Sequence, residues 1–282
     1  MTEKITSTQK KQILRRFENG LNTFNLSEKA VQFIQDIKSL LMGLTISKDL
    51  YTNEEVESNY GYPKDYKPKP PEEQLEIWKK WLPKLSTDKT EKFIKEELPK
   101  MKLPKDAESW FVIPKWQKFG GIYNKAIDKM LKIFFKAKKG KFHNYRGKEL
   151  GPDQLRETEK KKKFIAEISK NQPGDFIVIP AQLGLKYKGK SVRRARVLFR
   201  ENEFGLGLWE LLAILITHPE RLTYEDLWID CPGDQFRFNN DSVDLFFGAF
   251  YFYFVSGKVR LDAYRVDDVN EFYGLASAFF PQ

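Results

Sequence analysis

The sequence predicts an α+β protein: a helical N-terminal part, then a mixed domain with several helices and a small, mostly antiparallel sheet. Three observations carry this. Apolar residues recur at helical spacing in the first 45 residues, short β-prone runs ending at proline begin only near residue 109, and the last 40 residues alternate with period two. With 41% hydrophobic residues in 282, including 23 Phe and 12 Tyr, the chain has ample material for a core. The predicted organisation is a helical region over 1–105, with a Pro/Tyr-rich linker at 51–71, and a mixed domain over 106–282.

In chain order, Ser27 caps a predicted helix whose stripe is Ala30, Val31, Ile34, Ile37, Leu40, Leu41 and Leu44. Residues 51–71 hold four prolines and four tyrosines without periodicity and read as a linker or surface loop. Pro71 suits the first turn of a helix carrying Leu75, Trp78, Trp81 and Leu82, which Pro83 stops. Residues 88–98 predict a second short helix. Trp110–Ile113 and Phe176–Ile179 predict buried strands that end at Pro114 and Pro180, where the ladder donor is missing. Residues 120–139 and 152–170 between them read as helices. Leu183–Tyr187 reads as a strand. Ser191 caps a helix running to about Asn202, and Leu208–Thr217 is an apolar, buried helix. Phe250–Val255, a turn at Ser256-Gly257-Lys258 and Val259–Val266 form a hairpin.

The net charge of +10 averages very unequal parts. Residues 101–200 hold 26 Lys+Arg against 9 Asp+Glu, whereas residues 201–282 hold 5 against 14. Such asymmetry bears on partners more than the total does. Within the basic middle, Lys125, Lys129, Lys132, Lys136 and Lys139 step by 4, 3, 4 and 3 residues, one row along a helix. The loop that follows interleaves cations with rings: Lys141, Phe142, His143, Tyr145 and Arg146. Lys160–Lys163 is a run of four lysines, and Lys186, Lys188, Lys190, Arg193, Arg194, Arg196 and Arg200 form a third basic segment. Ammonium rows with interleaved rings suit a phosphate backbone and stacked bases. The expected activity is therefore non-enzymatic binding of nucleic acid or another polyanion.

Two alternatives stand beside it. His218, Asp230, Cys231 and Asp234 lie within 17 residues, a grouping that would suit a Cys–His nucleophile or metal-assisted phosphodiester hydrolysis. The basic and acidic parts would also suit a scaffold that pairs in cis or self-associates. Glu210–Trp228 resembles the helix–turn–helix entry of winged-helix regulators, which implies a second helix capped by Thr223. From Leu222 to Phe236, however, there is no Lys or Arg, the wrong charge for an element facing phosphates.

One cysteine and two histidines exclude intrachain disulfides and Cys₄, Cys₂His₂ or three-His zinc sites. No phosphate loop, dinucleotide fingerprint or nucleophile elbow is present, so no metal or cofactor is assigned. The longest apolar run, Leu245–Val255, is too short to span a bilayer, and the N-terminus lacks a secretory apolar core. The expectation is a cytoplasmic chain without a membrane partner.

Overall fold

Strand β7 (Gly248–Val255) shows how this fold is assembled. Its run Phe250-Tyr251-Phe252-Tyr253-Phe254 alternates, so phenylalanines enter one face of the sheet and tyrosines the other. Phe250 and Phe252 belong to the main apolar cluster. Ala249 and Tyr251 belong to a second, smaller cluster, so the sheet carries an apolar layer on each face.

The computed structural model describes residue 48, residues 50–239 and residues 246–281. The helix predicted from Ser27 lies outside them. The helices are α1 (Pro71–Trp81), α2 (Asp88–Glu96), α3 (Tyr123–Ala137), α4 (Glu159–Asn171), α5 (Val192–Leu198) and α6 (Leu208–Thr217). The other strands are β1 (Ser109–Pro114), β2 (Phe142–Asn144), β3 (Leu155–Glu157), β4 (Phe176–Gly184), β5 (Glu203–Gly205), β6 (Trp228–Phe236), β8 (Lys258–Arg265) and β9 (Tyr273–Phe279). The main sheet order is β1-β4-β9-β6-β7-β8-β2, with β3 paired to β6 and β5 to β9.

An α+β class holds, but the sheet has nine strands and is not small. Two pairs, β6–β9 and β2–β8, are parallel. Size escapes the sequence because β3 and β5 are only three residues long and β9 is buried along its whole length, without alternation. Pro180 does not stop β4, which continues to Gly184. It faces Trp110 of β1, and β9 joins only from Ala181, so the missing N–H interrupts no β9 ladder bond. Leu183 and Gly184 thus end β4, and Leu185–Tyr187 form a 3₁₀ turn. The expected helix at 152–170 is strand β3 followed by α4, capped by the Thr158 hydroxyl.

Helix α6 is buried at all ten positions, as its unbroken apolar run requires, and ends at His218. No helix follows at Thr223: residues 222–227 lead directly into β6, so the winged-helix expectation fails. Pro232-Gly233 is not a terminal turn but an irregularity inside β6, where its register with β7 shifts. There Gly233 N–H donates to Leu206 C=O at 2.8 Å, an approach that leaves no room for a Cβ at Gly233.

Helices α1 and α2 lie in the same compact unit, Tyr51–Gln282, as the sheet. Trp78 Nε1 donates to Val112 C=O at 2.9 Å, and the Gln74 amide caps Trp110 C=O and Val112 N–H of β1. Residues 51–70 have no helix, but they are anchored. Tyr60 is buried and its hydroxyl donates to Leu183 C=O at 2.6 Å, while Glu55 bridges Lys190. Helix α5 packs on the tyrosine face of β7 through Val192 and Ala195, with Tyr187 of the 3₁₀ turn in the same cluster.

Candidate nucleic-acid interface

Helix α3 is amphipathic. Tyr123, Ala126, Ile127, Met130 and Phe134 are buried. Lys125, Lys129, Lys132 and Lys136 occupy the exposed side, and Lys139 and Lys141 continue it through the turn into β2. None of these six forms an ion pair among the described residues, and the row on the helix runs for about 16 Å. Lys138 is different: burial pulls its pKa down to about 8, and its ammonium sits 5.3 Å over the Phe134 ring.

The aromatic residues after α3 separate. Phe142 is buried, its ring 4.8 Å from Phe134. His143 and Tyr145 lie on the opposite side of β2, exposed, with ring centroids 4.4 Å apart. Arg146 is engaged: its Nε lies 2.7 Å from Asp262, and Glu149 flanks it.

The third basic segment is almost wholly engaged inside the protein. Lys190 and Arg194 both bond Glu55, and Arg193 bonds Glu54. Arg196 donates to Pro232 C=O at 3.0 Å and Asp234 C=O at 2.9 Å. Lys188 remains exposed. Of the residues expected to meet a polyanion, the α3 row, Lys139, Lys141, Tyr145 and Lys188 present themselves to solvent, whereas Phe142, Arg146, Lys190, Arg193, Arg194 and Arg196 serve the fold.

The lysine run on α4 is also split by the helix. Lys161 points inward with no exposed surface, into a charge cluster that also holds Asp234, one of the candidate site residues. Its ammonium donates to Asp234 Oδ1 at 2.8 Å and to the Tyr123 hydroxyl at 2.9 Å, and it forms ion pairs with Glu210 Oε2 at 2.9 Å and Glu157 Oε1 at 3.4 Å. Tyr123 donates onward to Asp234 Oδ2 at 2.8 Å, and Leu208 N–H donates to the same oxygen at 2.8 Å. Gly207 N–H donates to Glu210 at 2.9 Å, and a Cβ on Gly207 would fall on the Lys161 ammonium. Burial pulls the Lys161 pKa down, but Asp234, Glu210, Tyr123 and Glu157 together outweigh it and hold it well above the usual value. Burial, aided by Asp234 and Glu210, pushes Glu157 up to about 7. Three carboxylates thus share one ammonium in a closed interior, an arrangement that ties α3, α4, α6 and β6 together. Among the described residues, no group of three His, Cys, Asp or Glu side chains is placed to hold a metal.

The remaining candidates at 218–234 are buried. His218 Nε2 accepts from Lys69 N–H at 2.9 Å, which leaves the proton on Nδ1, facing Thr217 Oγ1 at 2.9 Å. Burial, then the nearby Lys69, lowers its pKa to about 4, so it is neutral. Cys231 is fully buried in the main apolar cluster, and burial pushes its thiol well above the usual range, away from thiolate chemistry. Asp230, the preceding residue on the strand, faces the other side. Burial drives its carboxyl well up, and although the Tyr264 hydroxyl faces it, neither group meets ordinary hydrogen-bond geometry. No helix among the described residues is long and apolar enough to cross a membrane. No family model, curated protein or solved structure matches the chain.

Proposed function

We propose that the chain binds nucleic acid, or another extended polyanion, through the exposed lysines of α3 and the turn that follows. One observation carries the reading. Lys125, Lys129, Lys132, Lys136, Lys139 and Lys141 are exposed and form no ion pair among the described residues, in a chain that engages most of its other middle-segment cations. An unneutralised row of that kind releases counterions when phosphates take their place, which favours binding at low salt irrespective of base sequence.

Labelled oligonucleotides titrated at several salt concentrations test it. If about five phosphates are neutralised, the log–log salt slope is about −4. Lys125→Glu/Lys129→Glu/Lys132→Glu should reduce that slope by about half or more. Absence of binding at low salt, or an unchanged slope in the triple variant, overturns the proposal. The hydrolytic alternative at 218–234 has no supporting geometry of this kind, because its side chains lie in separate buried environments.

A further inference from the structure

Among the described residues, the tyrosine face of the sheet is only partly covered. Helix α5 has seven residues and shields Ala249, Tyr251, Tyr264 and Leu275 with Val192 and Ala195. A row of rings that includes Tyr251 crosses the sheet toward its β2 edge. Trp228 of β6 stacks on Tyr251 of β7 with centroids 5.2 Å apart and planes 9° apart, and Tyr251 stacks on Tyr253 at 5.2 Å. Next comes the Arg260 guanidinium, 5.9 Å from the Tyr253 ring and 5.7 Å from the Tyr145 ring. His143 closes the row against Tyr145. Trp228, Tyr253 and Arg260 are half-buried, His143 is exposed, and Tyr145 is 45% exposed.

The row ends among unpaired cations. Val259 N–H donates to Lys141 C=O at 3.1 Å, which sets Lys141 beside Lys258 at the rim, with Lys139 two residues away. All three lysines are exposed and form no ion pair among the described residues. Of the acids on this side, Asp262 pairs with Arg146 at 2.7 Å, and Glu225 accepts from Ser256 N–H at 3.0 Å. A solvent-facing sheet surface ordinarily takes polar residues, because large rings left in water gain nothing from burial. Planar groups held in order, with free ammonium groups at one end, complement a ligand that is planar and anionic by turns.

Resting on the polyanion reading, we infer that this row is a stacking platform for unpaired bases, so the preferred polyanion is single-stranded nucleic acid. Rings stack on base faces that a duplex keeps covered, and they do so with little sequence preference. The rim lysines meet the phosphates between those bases. Lysines alone do not distinguish strand states; rings do.

Fluorescence anisotropy with a labelled oligothymidine strand of about twelve nucleotides, and with a duplex of equal length, separates the two claims. Wild type should favour the single strand at least about tenfold. Tyr145→Ala/Tyr253→Ala should lose roughly tenfold or more on the single strand while keeping the salt slope. The α3 triple variant should instead flatten the slope. Tyr145→Ala alone, at a largely exposed position, keeps the fold and should still lose severalfold. If wild type binds both ligands equally, or ring variants weaken both alike or neither, the platform is refuted while the polyanion reading stands. If wild type binds neither, both fall.

Discussion

Replacing Lys161 with Met keeps most of the aliphatic stem and removes the one cation that four buried groups share. Asp234 would retain Tyr123 and Leu208 N–H as donors, and Glu210 would retain Gly207 N–H. Neither would retain a cationic ion-pair partner among the described residues, and Glu157 already sits near pKa 7 with the ammonium present. Breaking a buried ion pair from one side costs about 3–5 kcal/mol. An independent route gives a similar figure. Holding even one further carboxyl protonated at pH 7, against an unfolded value of 4.5, corresponds to about 3 kcal/mol. The deficit should depend on pH with a definite sign. Carboxyls whose folded pKa is raised bind protons preferentially in the folded state, so the variant regains stability as pH falls from 7 toward 5. Urea denaturation of both proteins at pH 7 and pH 5 reads the effect. A deficit under about 1 kcal/mol at pH 7, or one equal at the two pH values, refutes the assignment of Lys161 as the charge that holds this cluster together.

Two further outcomes follow from the interior titratable groups. Glu157 is raised from 4.5 to about 7, so its contribution is fully favourable below pH 4.5 and fades as pH rises to 7. Glu157→Gln removes that dependence, and its stability relative to wild type should improve by about 2–3 kcal/mol across this window; a constant difference contradicts it. His218 is lowered from 6.5 to about 4, so its contribution is intact above 6.5 and is lost as pH falls toward 4. NMR of the imidazole should show a neutral ring with the proton on Nδ1 at pH 6, and an imidazolium signal there would show that the Lys69 N–H contact is wrongly placed.

The parts of the fold legible in sequence are those with strong periodicity. Helix α6 is an unbroken apolar run, α3 has a stripe, and the β7–β8 hairpin alternates around Ser256-Gly257. The parts that escaped depend on partners distant in the chain. β3 and β5 become strands only because β6 and β9 supply ladders, and Pro180 is tolerated only because β9 joins one residue later. The charge cluster is also assembled at long range, since Tyr123 and Asp234 stand 111 positions apart. One local sign of it was present. Glu210 is the sole charge in an otherwise apolar helix, and such a residue is buried only with a partner. Glu157 and Lys161, spaced i,i+4, supply the other half of the signal. The ring row was half visible: Tyr145 stood out beside its lysines, but Trp228, Tyr253 and Arg260 reach it only through the sheet register.

The charge asymmetry has an equally divided fate. Part of the basic middle does meet the acidic C-terminal third, as Lys161 with Glu210 and Asp234, Lys186 with Glu203, and Arg146 with Asp262. Other cations in residues 186–200 take their partners from the opposite direction, at Glu54, Glu55 and Asp106. These pairs account for why the fold keeps that charge. They do not account for α3, where successive lysines at i,i+3 and i,i+4 repel by a few tenths of a kcal/mol each. A helix selected for stability alone would interleave acids there, and Asp128 is the only one in α3. Charge reversal at Lys125, Lys129 and Lys132 exchanges one exposed like-charge row for another and should leave stability within about 0.5 kcal/mol of wild type, while polyanion affinity falls. Binding loss accompanied by several kcal/mol of destabilisation would instead make the row part of the scaffold, and the proposed surface would lose its basis.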